Sequence, residues 1–465
     1  MLEPLVRNNL QRLHRIYDRA PSPARHVLTS ARGFVLSQIR YSRRTFETLR
    51  RLREHEHWTM DEIAGHQLEQ VNAAISHAQK TTPHYREYES VKLRSLEDLR
   101  TIPVLARETV RKGGEEFISR DIPLRCRIQA GTTGTTGANL RVTYSEAALS
   151  QNWAFLLRQW AWAGIAPRSP RVTLFGARVV PADRAKPPFW TYNAAERQLL
   201  MSIFHISEKS APSYIERLRR HRGEVLEGFP SVLSIVADFA ERRGEALPMS
   251  AIFTSGEPLY AEAREKIERV FQARAFDSYG MTELCGSIHE CEAGEMHLAP
   301  EYGYLEILNE SGEPVRDEEE GHFVWTGFVN PAMPLIRYRV GDRGRWKSGG
   351  TCACGRAFPR VVPTITRESD LLRAPDERVF SPRALNQLLK QTSALRFCQF
   401  VHERQDRVVV RAVPSNARGA EDVMNVRARL QELLGASARV TAELADAPIS
   451  RPGGKIPLIV NQVAR

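Results

Sequence analysis

Long apolar runs are missing from this sequence. No stretch approaches the ~18–20 consecutive apolar residues that cross a bilayer, so no membrane helix is predicted. The opening MLEPLVRNNLQRLHRIYDRA has no apolar core followed by a small-residue cleavage site. A secretory signal is therefore not expected, and the predicted location is the cytoplasm. Cysteine is scarce, with six in 465 residues, at 126, 285, 291, 352, 354 and 398. In a reducing compartment these are not expected to form structural disulfides. There is no internal repeat and no low-complexity tract.

What is present is an ordinary globular composition, 42% hydrophobic and 26% charged, in a chain long enough for two or three domains of ~100–200 residues. The charge is uneven. Residues 1–60 hold twelve Arg and five Asp or Glu, giving +7 of the net +11. Leu10, Leu13 and Ile16 recur there at helical spacing. One reading is a basic amphipathic arm for a membrane surface, a protein or nucleic acid. The other is a solvated helical extension packed on the main body, and no specific nucleic-acid partner is expected.

Residues 1–65 read as this basic helical extension. Residues 66–88 show helical spacing that stops at Thr82-Pro83. From 125 to 345, strand-like runs (RVTLFG at 171–176, AIFTSG at 251–256, ARAFDSYG at 273–280) alternate with helical patterns (212–221 and 260–271). That alternation predicts a layered α/β core with a parallel sheet. From about 303 the texture becomes short alternating β segments. After 368, a strand-like run (407–413), a helix (423–435) and a strand (439–444) suggest a small separate α+β domain.

Five short motifs carry chemistry. The run Gly131-Thr132-Thr133-Gly134-Thr135-Thr136-Gly137 combines backbone freedom with hydroxyl donors suited to phosphate oxygens. It is not a P-loop, because no Lys follows the last Gly. Ser255-Gly256-Glu257-Pro258 follows the apolar strand AIFT and can border a base. Tyr279-Gly280-Met281-Thr282-Glu283 places an aromatic, a hydroxyl and a carboxylate at a strand exit, and the carboxylate suits Mg2+. Asp342 can accept from both ribose hydroxyls. Lys455, in Arg451-Pro452-Gly453-Gly454-Lys455, is a cation on a Gly-rich loop that can offset developing negative charge. Each motif alone also fits a plain turn or loop.

In this order the motifs resemble the adenylate-forming superfamily of acyl-CoA synthetases, luciferases and peptide-synthetase adenylation domains. The phrases TTPHYREY, LRTIPVLARETVR (99–111) and CACGRAFPRVVPTITRESD (352–370) look most like its phenylacetate-CoA ligase and CapK-like branch. The resemblance covers roughly residues 65–465. It implies an α/β fold with a large AMP-binding domain (66–368) of layered α/β subdomains and a β subdomain, plus a small mobile α+β C-terminal lid (369–465). By resemblance, Thr132 through Gly137 hold the pyrophosphate of ATP, Ser255 through Pro258 border the adenine, and Tyr279 and Gly280 flank the base. Thr282 contacts the α-phosphate, Glu283 holds Mg2+, and Asp342 and Arg367 attend the ribose. Asp370 is the hinge and Lys455 the lysine of the adenylation step. Ala138, Val340 and Thr366 depart from the family pattern without removing a charge the chemistry needs.

The implied reaction joins a small-molecule carboxylic acid to AMP and then passes the acyl group to a thiol. CoA is the default acceptor and a carrier protein the alternative. A catalytically degenerate nucleotide-binding scaffold is the rival of another class. The tight pair Cys352-Ala-Cys354 with Cys291 and His297 fits a closed structural Zn2+ site, with His289 and Cys285 as rival ligands and unligated thiols as the plain alternative. The acid is expected between the adenine loop and residues 205–235, where Trp153, Phe155, Trp160, Trp162, Phe204 and Phe229 are available as an aromatic lining.

Overall fold

The computed structural model describes residues 17, 20–86, 92–131, 140–177, 179–181, 184–364, 372–375, 379, 380, 385, 387–389, 392, 394–451 and 456–463. The chain forms two compact units. The first comprises Met1–Gly134, Asn139–Val340 and Gly344–Pro363, and the second is chiefly Thr364–Arg465 with Gly341–Arg343. The architecture is α/β, as the alternation of strand and helix patterns predicts.

The first unit is built on an eight-stranded sheet. Its strands are β1 (Arg171–Leu174), β2 (Trp190–Asn193), β3 (Gln198–Met201), β4 (Val225–Gly228), β5 (Ala251–Ser255), β6 (Ala275–Gly280), β7 (Ser287–Glu290) and β8 (Met296–Leu298). The spatial order is β8-β7-β6-β5-β4-β1-β3-β2. The block β3-β1-β4-β5-β6 is parallel, and antiparallel strands flank it on both sides. Parallel strands are covered on both faces and so read as continuous apolar runs. Val172, Leu199, Leu226 and Ile252 are fully buried in one cluster with Leu218, Leu233, Val236, Ile267 and Phe271 of the covering helices.

Four helices position the rest of this unit: α1 (Ser22–Arg40), α2 (Arg43–Glu54), α3 (Met60–Thr81) and α4 (Glu146–Trp162). Helix α3 begins at a capping box, with Thr59 and Glu62 bonding reciprocally to each other's backbone N–H, and it ends before Thr82-Pro83. Helix α1 is inverted. Its buried positions are Arg25, Thr29, Gly33 and Ser37, one every fourth residue. Its exposed positions include Val27, Leu28, Phe34 and Val35.

The inward polar face answers a need of edge strand β2. The Tyr192 N–H donates to His26 Nδ1 at 2.9 Å, and the Ala194 N–H donates to Ser30 Oγ at 3.0 Å. An edge strand left bare would present unpaired backbone groups to other chains. Gly33 is required for this approach, because a Cβ there would lie 2.0 Å from Asn193 Oδ1. The basic N-terminal helices thus pack on the body, α1 over β2 and α2 along α4.

A second sheet contains β9 (Gly303–Leu308), β10 (Gly321–Gly327) and β11 (Tyr338–Trp346). The second unit carries its own sheet of β12 (Leu395–Arg404), β13 (Arg407–Pro414), β14 (Arg439–Leu444) and β15 (Ile459–Asn461), in the order β14-β13-β12-β15. Helix α5 (Gly419–Leu434) buries Val423, Val426, Leu430 and Leu434 against Phe400, Val408, Val410 and Val440.

Gly303 allows β9 to close on the loop that follows β6. A Cβ there would meet the backbone oxygens of Cys285 at 2.1 Å and Thr326 at 2.9 Å. Backbone yields less readily than a side-chain tip. Gly303→Ala is expected to lower the unfolding free energy by ~1–3 kcal/mol, read from urea denaturation. An unchanged midpoint would mean that the Cys285 segment shifts freely.

Candidate functional site

Two of the predicted loops leave neighbouring parallel strands at the same edge. Ser255 ends β5 and pairs in register with Ser278 of β6. The strands are tied by crossed side-chain bonds, Ser255 Oγ to the Ser278 carbonyl at 3.0 Å and Ser278 Oγ to the Thr254 carbonyl at 3.1 Å. Glu257 accepts from the Ser231 N–H at 3.2 Å, in the first turn of the helix Pro230–Glu241. A carboxylate there complements the helix dipole. Ligands of open α/β sheets bind beyond the carboxyl ends of strands, where these loops lie. Asp277, beneath them, is buried. It accepts from Thr254 Oγ1 at 2.7 Å, and burial pushes its carboxyl up to about 7.

Glu283 is 2% exposed. Its Oε1 accepts from the Arg107 guanidinium and, at 3.0 Å, from the Tyr338 hydroxyl. Arg107 also donates to the Tyr338 hydroxyl at 3.2 Å, so carboxylate, guanidinium and phenol form one triangle. Burial and the adjacent carboxylate raise the Tyr338 phenol well above its ordinary range, which keeps it a donor. The neighbouring Thr282 carbonyl accepts from the Tyr144 hydroxyl. Tyr279 is turned inward, edge-on to Phe323 at 5.6 Å and stacked on Trp325 at 6.3 Å. Much of its ring is therefore engaged by core aromatics. Asp342, grouped with the second unit, is buried on its strand. Thr132, Thr133, Gly134, Thr135, Thr136, Gly137, Arg367, Asp370 and Lys455 lie outside the described residues.

The Cys and His residues form a separate centre. The donor atoms of Cys291, His297, Cys352 and Cys354 all lie within 4.8 Å of one another. Cys291 Sγ and Cys352 Sγ are 3.8 Å apart, and Cys354 Sγ is 3.4 Å from His297 Nε2. Two thiolates each ~2.3 Å from a tetrahedral Zn2+ would be about 3.8 Å apart. His297 Nδ1 meets the Phe358 carbonyl at 2.8 Å, which turns Nε2 toward the sulfurs. Both rival ligands are engaged elsewhere. His289 Nε2 meets Ser287 Oγ at 2.7 Å, and Cys285 Sγ meets Met281 Sδ at 3.2 Å.

A cavity of about 490 Å³ opens beside the two strand-end loops, lined by Ser255, Gly256 and Ser278 on that side. Of the predicted aromatics, Trp153, Trp160 and Phe229 line it. Phe155 packs instead on Tyr302 at 4.8 Å, and Trp162 lies under the Arg356 guanidinium at 4.4 Å. The side chain of Phe204 lies outside the described residues. Apart from Phe229, residues 205–235 contribute Glu227 to the wall, and the facing wall is α1. Sequence reasoning did not single out Arg107, Tyr338, Tyr144, Arg40, Arg171, Glu196 or Glu227. The signals available were Arg107, inside the phrase LRTIPVLARETVR, and Tyr338, inside the motif RYRVGD (337–342) that ends at Asp342.

No family model matches the chain. Protein CapK of Staphylococcus aureus is 24% identical over 467 residues, spanning 97% of this chain and all of that one. The phenylacetate-coenzyme A ligase of Pseudomonas putida is 25% identical over 358 residues, covering 71% of this chain and 76% of the ligase. Among solved structures, a 2-hydroxyisobutyryl-CoA ligase in the postadenylation state matches in fold with a TM-score of 0.68. It is 19% identical and covers 88% of this chain and 91% of that one. The fold is that of the adenylate-forming enzymes. In sequence the chain is similar to CapK and to the phenylacetate-coenzyme A ligases.

Proposed function

We propose that the chain uses ATP and Mg2+ to convert a carboxylic acid to an acyl-adenylate and then transfers the acyl group to a thiol, CoA in the first instance. The supporting observation is the placement of Ser255 and the Glu283 loop at the ends of adjacent parallel strands, with the Glu283 carboxylate already buried and aligned. Thr132 through Gly137 would cradle the pyrophosphate, and Ser255 through Pro258 would border the adenine. Thr282 would meet the α-phosphate, and Asp342 and Arg367 the ribose. Among the described residues the contacts to Glu283 fall on Oε1, which leaves Oε2 for Mg2+, and the ion when bound would neutralise charge on the phosphates. Residues 66–368 would form the catalytic domain and 369–465 a lid turning about Asp370, which carries Lys455. ATP–pyrophosphate exchange with a panel of acids tests this reading. Lys455→Ala is expected to slow exchange by ~10²–10³-fold. Exchange at the unmodified rate in that variant, or none with any acid, would favour a nucleotide-binding scaffold.

The Cys291, His297, Cys352 and Cys354 cluster is proposed to hold a structural Zn2+. Four protein donors leave no open position, so the ion would staple the β7–β8 turn to residues 352–358 and take no part in the reaction. Elemental analysis should find about one zinc per chain, lost in Cys352→Ser together with several degrees of thermal stability. Purified protein that carries no zinc, or a Cys352→Ser variant that melts with the unmodified protein, would refute the assignment.

The outward stripe of α1, with Val27 at 68% and Phe34 at 61% exposure, and the net charge of +7 that residues 1–60 carry support contact with an anionic membrane surface. Co-sedimentation with phosphatidylserine vesicles is expected, weakened by salt and by Phe34→Ser. Equal recovery with neutral vesicles, or none with either, would remove this reading.

A further inference from the structure

Glu283 presents a problem that its own loop does not solve. Its side chain is 3% exposed, and the segment 278–288 holds no other charged residue. A carboxylate buried without a counter-charge is unfavourable, and a chain relieves it by moving or neutralising the group. Either response would spoil a metal ligand. The remedy comes from two other segments. Tyr338 offers a hydroxyl, a neutral donor, at 3.0 Å from Oε1. Arg107 offers a charged donor to the same oxygen. Among the described residues, Arg107 is the cation paired with Glu283.

The backbone places that cation. Leu105 and Ala106 pair in parallel with Tyr338 and Arg339 of β11, and the Leu105 N–H donates to the Arg337 carbonyl at 2.8 Å. Residue 107 follows directly, so guanidinium and phenol reach Oε1 from neighbouring strands and meet each other at 3.2 Å. The Arg107 side chain is 28% exposed, so a substitution there does not hollow the core. Carboxylates that bind metals are commonly held by a second hydrogen-bonding partner, and losing that partner typically costs ~10–100-fold in metal affinity. An opposing effect exists, since a guanidinium beside the site repels Mg2+. Positioning outweighs it, because without Arg107 the ion has no fixed ligand to meet.

We infer that Arg107 is a positioning residue for the metal carboxylate: its charge keeps the buried Glu283 in place, with Oε1 committed to the protein and Oε2 left for the ion. The inference rests on the proposal that Glu283 holds Mg2+. Tyr338 has the lesser part, as a neutral strut.

The first test is calorimetric titration of Mg2+ into the full chain saturated with α,β-methylene-ATP. Arg107→Met is expected to weaken Mg2+ binding by about 10–30-fold, and Arg107→Lys, which keeps the charge, by about threefold at most. In pyrophosphate exchange the Mg2+ concentration at half-maximal rate should rise by the same factor in Arg107→Met, while kcat at saturating Mg2+ stays within about threefold. The second test needs neither metal nor substrate. Arg107→Met should melt a few degrees below the unmodified chain, and adding Glu283→Gln should recover most of the loss, because the stranded charge is then gone. Should Arg107→Met fail to fold, the double variant should fold. Mg2+ binding that is unchanged or tighter in Arg107→Met, equal losses in the Met and Lys variants, or no recovery in the double variant would each overturn the inference. Absence of exchange with every acid by the unmodified chain would instead strike the adenylation reading, and the melting comparison would still judge the pair.

Discussion

The buried carboxylate of Glu196 between Arg40 and Arg171 is the contact on which the first unit's outer edge depends. Its side chain is fully excluded from solvent, as is that of Arg171. Removing two such charges from water costs more than their attraction commonly returns, so a cluster of this kind is a poor source of stability. What it supplies is geometry. Arg40 reaches in from the last turn of α1, Arg171 from the start of β1, and Glu196 from the turn between β2 and β3. Satisfying all three at once fixes where α1 lies across the sheet edge, and therefore how deep the cavity beneath it is. An apolar replacement could pack as tightly without specifying that position.

A similar logic governs the loop after β6. Glu283 is held by one guanidinium and one phenol on the same oxygen, and its neighbour Thr282 is held through its carbonyl. The carboxylate proposed above to meet Mg2+ is thus pinned by partners drawn from distant segments, and a group held in this way needs little reorganisation when charge arrives. Gly303 serves the same end by letting β9 approach the Cys285 backbone closely.

The periodic elements were legible in the sequence because each is set by local spacing. RVTAEL coincides with β14, and the pattern at 260–271 marks the helix Ala261–Phe271. The clustering of the Cys and His residues was legible as well, because a Cys-Ala-Cys pair with a second Cys and a His is a recurrent metal-ligand pattern. What stayed hidden were pairings across the fold. Arg107 meets a carboxylate 176 residues away, and Arg40 meets one 156 residues away. No local spacing records such a match. The cavity beside the adenine loop takes Glu227 and Phe229 from residues 205–235, but its facing wall was hidden for the same reason. The opposing wall comes from α1, whose role depends on a strand more than 150 residues later.

That helix shows why a basic, amphipathic N-terminus is an unreliable sign of a free arm. Amphipathicity says that two faces differ, and the usual inference turns the apolar one inward. Here the inward partner is an edge strand, whose unpaired N–H groups need acceptors more than the core needs hydrocarbon. His26 and Ser30 supply those acceptors, Gly33 permits the approach, and Arg40 closes the ion cluster. The apolar residues are left on the outer side by elimination. A helix so arranged is part of the wall of the cavity, and stripping it away would bare the β2 edge and open the polar chain of Thr173, Gln198 and Glu227 to water. The segment that looked most peripheral in the sequence is therefore the one that completes the cavity.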